Sequence, residues 1–210
     1  MQLPFTTEQF FAVFRDYNTS VWPAQLVLLA LAVVALGIIW HRPKWGGAAV
    51  SIILSLLWAW MAIGYHLVFF AEINPLAYVF AAVSFAGAIL FFWFGVVRRE
   101  ISFSFGGDPR SFAGLALILF ALVIYPMWVS ASGHGFPELP TFGLPCPTTI
   151  YTIGLLAFST GRGTRWVAIV PFLWSLVGTQ AAFLLDVRPD LGLGVAGLVA
   201  LVLIIAPGRE

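Results

Sequence analysis

The amino-acid sequence predicts an all-α integral membrane protein with seven transmembrane helices and the N-terminus outside. Hydrophobic residues fill 61% of the 210 positions and charged residues only 9%, which leaves too little polar surface to clothe a soluble globule of this size. Seven apolar stretches occupy nearly the whole chain, each near the roughly 20 residues that a hydrocarbon core of about 30 Å demands. The basic residues between them fall on alternating sides.

Ahead of the first stretch, residues 1–21 lack the basic start and long apolar run of a cleavable signal peptide. Thr6 followed by Gln9 has the spacing of a capping box. Phe10, Phe11, Val13, Phe14 and Tyr17 form an apolar face opposite Glu8, Arg15 and Asp16. This segment reads as a short amphipathic helix on the outer interface, either an anchor for the first span or a lid over an outward-facing cavity.

The spans follow at Trp22–Trp40, Gly47–Phe70, Pro75–Val97, Phe112–Ser130, Pro145–Thr160, Trp166–Leu185 and Leu191–Pro207, the fifth and seventh being the shortest. Continuous apolar runs lack the in/out alternation of barrel strands, so only helices satisfy the backbone without water. Trp22, Trp40, Trp45, Trp93, Trp128 and Trp166 lie at or near the ends of the runs, as interfacial anchors do. Residues 22–210 form one domain, divided into a three-helix unit (22–97), a linker helix (112–130) and a second three-helix unit (145–207).

Orientation comes from the rule that basic short loops stay in the cytoplasm. With the N-terminus outside, Arg42, Lys44, Arg98, Arg99, Arg110, Arg162, Arg165 and Arg209 lie inside, leaving only Arg15 and Arg188 outside. An even number of spans would break this alternation.

An internal repeat supports the division into units. Phe69 to Pro75 and Phe183 to Pro189 share a pattern of Phe, two apolar or small residues, an acid, a β-branched aliphatic, one variable residue and Pro. Leu57-Trp58 pairs with Leu173-Trp174, and Trp22-Pro23 with Cys146-Pro147. The alternative is that apolar sequences look alike by composition. The three-plus-one-plus-three layout resembles that of the SWEET sugar uniporters, whose parallel repeats flank a substrate path. In outline it is also similar to the seven-helix rhodopsins, but the only lysine, Lys44, lies in a loop and offers no Schiff base to retinal.

No Asp, Glu, Lys, Arg or His falls near the middle of a predicted span, which disfavours a proton-coupled pump. The distinctive polar side chains gather instead toward the outer ends. Tyr65, Asn74, Tyr125, Thr148, Thr149 and Gln180 are candidates for a substrate path. Gln180 should face the bundle interior, where small neighbours let another helix approach. Cys146, His66 and His134 are candidate metal ligands by type, for a soft transition metal; no other cofactor is predicted. Cys146, the only cysteine, opens its span between prolines at a helix N-terminus, where a thiol can ligate soft metals or act as a nucleophile. The alternative reading is a small buried hydrophobe. His66 may be read as a packing histidine bonded to Thr148, Gln180 or Tyr125. A haem would want a second intramembrane histidine, and His41 and His134 both fall in loops.

The strings EQFFAVFRDYN with VWPAQ, YHLVFFAEINP, LPCPTTIYTIGLL and AAFLLDVRPDLG resemble an uncharacterised family of bacterial multi-pass proteins, a domain of unknown function. The resemblance extends over almost the full length and implies a bacterial inner membrane, so that the outer side is periplasmic. It implies no activity. From the residues, three functions stand open: a transporter or channel for a small neutral solute or a soft metal ion, a membrane-embedded sensor or accessory subunit, and a thiol-dependent enzyme using Cys146. The last lacks a resolving cysteine. The expected partner is the lipid bilayer, with a homo-oligomer or another membrane protein as further candidates. A net charge of +1 gives no indication of nucleic-acid binding.

Overall fold

A computed structural model describes residues 4–206. Pro207 and Arg209, which figure in the last predicted span and in the charge tally, lie outside the described residues.

The first element, α1 (Thr7–Ser20), is the expected amphipathic helix, and its capping box forms as the sequence requires: the Thr6 hydroxyl accepts from the Gln9 amide and the Gln9 side chain accepts from the Thr6 amide. Its apolar face does not lie bare. Phe10, Phe11, Val13, Phe14 and Tyr17 are buried against Tyr65, Phe70, Leu144, Leu185 and Val187.

Among the described residues six helices are long and apolar enough to cross a membrane: α2 (Ala24–His41), α3 (Gly46–Glu72), α4 (Ala77–Val97), α5 (Pro109–Ala131), α7 (Thr164–Leu184) and α8 (Arg188–Ile205). Their outward faces carry large exposed apolar side chains such as Val27, Val33, Phe85, Val123, Leu198 and Val202, the surface that lipid contact requires. Several of the predicted anchors, Trp22, Trp40, Trp45 and Trp93 among them, are at least half exposed or nearly so, at 57%, 77%, 62% and 49%.

The fifth predicted span departs from the others. Helix α6 (Pro145–Leu156) has 12 residues, roughly 18 Å of helix at 1.5 Å per residue. It stops short of the predicted end at Thr160 because Ser159–Thr160 (β2) leaves the helix and pairs antiparallel with Ser102–Phe103 (β1), in the register Ser102 with Thr160 and Phe103 with Ser159. Every residue from Pro147 to Leu156 is buried. This helix is the axis of the bundle. Tyr151 donates from its hydroxyl to the Ala32 carbonyl of α2 at 2.8 Å, and Thr152 accepts from Trp58 Nε1 of α3 at 3.2 Å. Its polar side chains thus serve as cross-helix glue. Against α5 the approach is closest: a Cβ placed on Gly114 would sit 2.5 Å from the Gly154 carbonyl oxygen.

The two ends of α6 meet different ends of the bundle. At its start, Gly143 and Leu144 lie beside α1, with the ideal Cβ position of Gly143 3.3 Å from the Tyr17 hydroxyl. At its finish, Arg110 donates to the carbonyls of Leu156 at 3.0 Å and Ser159 at 2.8 Å, placing a cation against the carbonyl-rich helix end. The same end holds the β1–β2 ladder and the Gly163 amide bonded to the Glu100 carbonyl.

Among the described residues three helices contain π-helical turns, at residues 61–67, 93–97 and 120–124. The third precedes Pro126, and there the Tyr125 amide reaches back five residues to the Phe120 carbonyl. The first carries Tyr65 and His66, and such turns are often found at functional sites.

Candidate functional site

The π-helical turn of α3 aims Tyr65 and His66 into a cavity of about 360 Å³. Phe5, Phe10 and Phe14 wall it on the α1 side, Phe70 and Phe80 line its flank, Cys146 borders it from the start of α6, and Trp174 faces it from α7. Its lining is aromatic around a few polar groups, the composition of a small-molecule site.

His66 is fully buried, with its ring centroid 5.0 Å from Trp174 and 5.8 Å from Phe80. Neither of its ring nitrogens has a hydrogen-bond partner among the described residues, and neither does Trp174 Nε1. The predicted partners are accounted for elsewhere. Thr148 accepts from the Gly143 amide at 3.0 Å, Tyr125 donates to Asp190, and Gln180 folds back on the Leu176 carbonyl at 3.4 Å. A neutral imidazole carries one donor and one acceptor, so three polar functions stand unanswered within one aromatic cage. Buried groups of this kind are rare and call for an explanation.

Of the predicted path residues, Tyr65, Asn74 and Gln180 border the cavity. Tyr65 stacks on Phe70 at 5.7 Å between ring centroids. The Asn74 carboxamide oxygen accepts from the Leu76 amide at 3.0 Å and shapes the turn into α4. Gln180 corrects the expectation of an inward-facing amide: it is exposed at the cavity's edge, where its helix gives way to a turn and the amide folds back on the Leu176 carbonyl. Thr148 and Thr149 are buried in α6 behind the cavity.

Cys146 also touches a second cluster. The Tyr125 hydroxyl donates to Asp190 Oδ1 at 2.7 Å, and Cys146 lies beside this pair. Asp190 is 1% exposed, whereas the sequence reading placed it in an outer loop. A 3₁₀ turn over Arg188–Asp190 leads into the regular helix, which begins at Leu191, and carries the Asp190 side chain inward; Pro189 in that turn was the available signal.

His134 does not join Cys146 and His66. It stacks on Phe11 of α1 with centroids 3.7 Å apart and rings 10° from parallel. Among the described residues no three His, Cys, Asp or Glu side chains form a group suited to a metal ion. His134 belongs instead to a clasp between α1 and residues 133–141. Asn18 Nδ2 donates to the carbonyls of Pro137 and Leu139, both at 2.7 Å, while the Thr141 hydroxyl donates to Asn18 Oδ1 at 2.7 Å. An Arg15–Glu138 ion pair lies on its surface. Sequence reasoning passed over Asn18, which looks like an ordinary helix-end residue.

Trp60 Nε1 donates to the Tyr17 hydroxyl oxygen at 2.7 Å, tying α1 to α3. Burial pushes the Tyr17 phenol up to about 12, against the opposing effect of the Trp60 N–H.

No curated protein and no solved structure matches the chain. The profile of a family of unknown function, DUF6064, matches residues 7–209. That stretch takes in α1, all six long apolar helices and every residue of the cavity except Phe5, and the chain belongs to this family.

Proposed function

We propose that this membrane protein is a facilitative carrier for a small uncharged solute, bound in the cavity beneath α1. The carrying observation is that His66 and Trp174 present unanswered hydrogen-bonding groups inside an aromatic cage of drug-sized volume. An uncharged solute is favoured over a soft metal ion. His134 is held apart on Phe11, and among the described residues no three potential ligands gather around Cys146 and His66.

The same reading has the chain cross a bacterial inner membrane seven times, N-terminus outside. Its support is that α6 starts beside α1 and ends beside the β ladder, and that Arg42, Arg98, Arg99, Arg110, Arg162 and Arg165 all fall in or next to the connections at the ladder end. Helices α2 to α4 and α6 to α8 then form the two halves of the repeat, with α5 between them. Beyond the cavity the interior is filled by Trp58, Met61 and Tyr151, each no more than 1% exposed, so the cavity is sealed toward the ladder end and transport requires a second arrangement of the helices.

The test is flux into proteoliposomes reconstituted with the full chain, followed by light scattering across a panel of uncharged solutes. Saturable uptake of at least one solute, absent from protein-free vesicles, is expected. Absence of flux for every solute, together with retained solute binding, would replace the carrier with a sensor. That second reading has its own observation: α1 both walls the cavity and is clasped to the 133–141 loop, so occupancy of the cavity can be read at the surface.

A further inference from the structure

The polar groups inside the cavity define the chemistry of what it holds, if it is the binding site proposed above. Trp174 Nε1–H can only donate, and neutral His66 offers one acceptor nitrogen and one N–H. The two ring centroids are 5.0 Å apart and both residues border the cavity, so a group entering from it comes near both. A charged ligand is disfavoured: among the described residues no Lys, Arg, Asp or Glu borders the cavity, and an unpaired charge in an apolar surround is costly. An ether, ketone or ester oxygen could accept from Trp174 but would leave the acceptor nitrogen of His66 unmet. A hydroxyl answers both, accepting from Trp174 Nε1–H while donating to His66. Beside these groups, Phe70 and Phe80 run nearly parallel, 16° apart with centroids at 6.4 Å, and Tyr65 stacks on Phe70 at 12°. Parallel aromatic faces suit a flat ring by offset or edge contacts.

We infer that the cavity takes an uncharged, ring-bearing lipophile with a free hydroxyl, of the alkylphenol type, whose oxygen lies between His66 and Trp174. The ring and alkyl body occupy the aromatic part, toward Phe10, Phe14 and Leu184. Such molecules partition into the bilayer, and the cavity edge at Leu76, Gln180 and Leu184 is exposed, which gives entry from the outer part of the membrane.

The experiment uses the full chain in nanodiscs and three probes matched in heavy atoms: para-hexylphenol, para-pentylanisole and heptylbenzene. Binding is measured by equilibrium dialysis, with empty nanodiscs subtracted for partition into lipid. Expected is saturable binding of the phenol, with the methyl ether about tenfold weaker, the loss of one buried hydrogen bond, and the hydrocarbon weaker again. In His66→Phe the phenol and the ether should bind alike, because the acceptor is gone. In Trp174→Phe the ether should lose most of its advantage over the hydrocarbon, because the indole donor is gone and only the His66 N–H remains. The ranking of the three probes on the unaltered protein decides the matter even where a variant does not fold. Saturable binding with equal affinity for all three would overturn the hydroxyl assignment and leave the cavity as a binding site. No saturable binding of any probe above empty nanodiscs would overturn the alkylphenol class, and flux of some other solute in the proteoliposome panel would then show the carrier reading standing without it.

Discussion

Tyr125 and Asp190 share a 2.7 Å hydrogen bond that ties the middle of α5 to the first turn of α8, with the phenol as donor and a carboxylate oxygen as acceptor. Both residues are at most 1% exposed. Removing the two partners should therefore have unequal effects. Asp190→Asn keeps an oxygen that can accept from the phenol and should cost less than about 1 kcal/mol, whereas Tyr125→Phe strips a buried carboxylate of its hydroxyl donor and should cost about 2–3 kcal/mol. Unfolding by denaturant in detergent micelles measures both, and equal losses would contradict the arrangement.

Asn18 should prove the most sensitive residue of α1. Its carboxamide holds the Pro137 and Leu139 carbonyls and the Thr141 hydroxyl, so Asn18→Ala leaves several polar atoms without partners and should cost on the order of 2 kcal/mol. By contrast, Arg15→Ala removes an exposed ion pair and should change stability by less than about 1 kcal/mol. Hydrogen exchange in α1 and residues 133–141 should quicken together in the first variant and stay near normal in the second.

At the ladder end, Arg110→Met should lower stability by about 1.5–3 kcal/mol, the range for hydrogen bonds to a charged group, because the Ser159 carbonyl loses the guanidinium and the Leu156 carbonyl keeps only the Ser159 hydroxyl. Exchange at the amides of Phe103 and Ser104 reports it, since the Ser104 amide bonds to the Phe158 carbonyl beside the same turn. Unchanged protection there would argue against a capping role.

Two glycines make a matched pair. A methyl on Gly114 meets the Gly154 backbone oxygen at 2.5 Å and the Ala157 methyl at 2.7 Å, while a methyl on Gly37 in α2 meets nothing within 4 Å. Backbone cannot yield as a flexible side chain does, so Gly114→Ala should destabilise by about 1–3 kcal/mol. Gly37→Ala should be neutral or stabilising by up to about 1 kcal/mol through the unfolded chain. Thermal unfolding of the two variants side by side is sufficient.

The Tyr17 phenol should titrate late. Its ordinary value is 10.0 and burial raises it to about 12, so the folded protein holds this proton more tightly than the unfolded chain. The resulting stability is fully present below about pH 10 and is lost as pH rises toward about 12. Trp60→Phe removes the N–H that favours the phenolate, which should move the transition higher still. Phenolate absorbance, taken as the difference between the parent and Tyr17→Phe, follows it directly.

The sequence by itself determined that the chain is a helical membrane protein, where its long helices start and stop to within a few residues, and how α1 is capped and faced. Those features are local. The Thr6–Gln9 box spans three residues, and the apolar face of α1 stands out because polar residues border it. It also gathered Tyr65, His66, Asn74, Cys146 and Gln180 toward one end, and all five border the cavity. Tertiary structure alone decided that Gln180 faces outward, that Asp190 is buried, that α6 is a short central axis, and that His66 meets Trp174 rather than Cys146 and His134 in one cluster. Asn18 and Leu139 meet across 121 positions of sequence, and no local pattern encodes such a meeting. The deeper reason is the solvent: lipid is as apolar as a protein core, so both the inner and the outer faces of α2, α4 or α8 are apolar, and the contrast that reveals a buried face in water is missing.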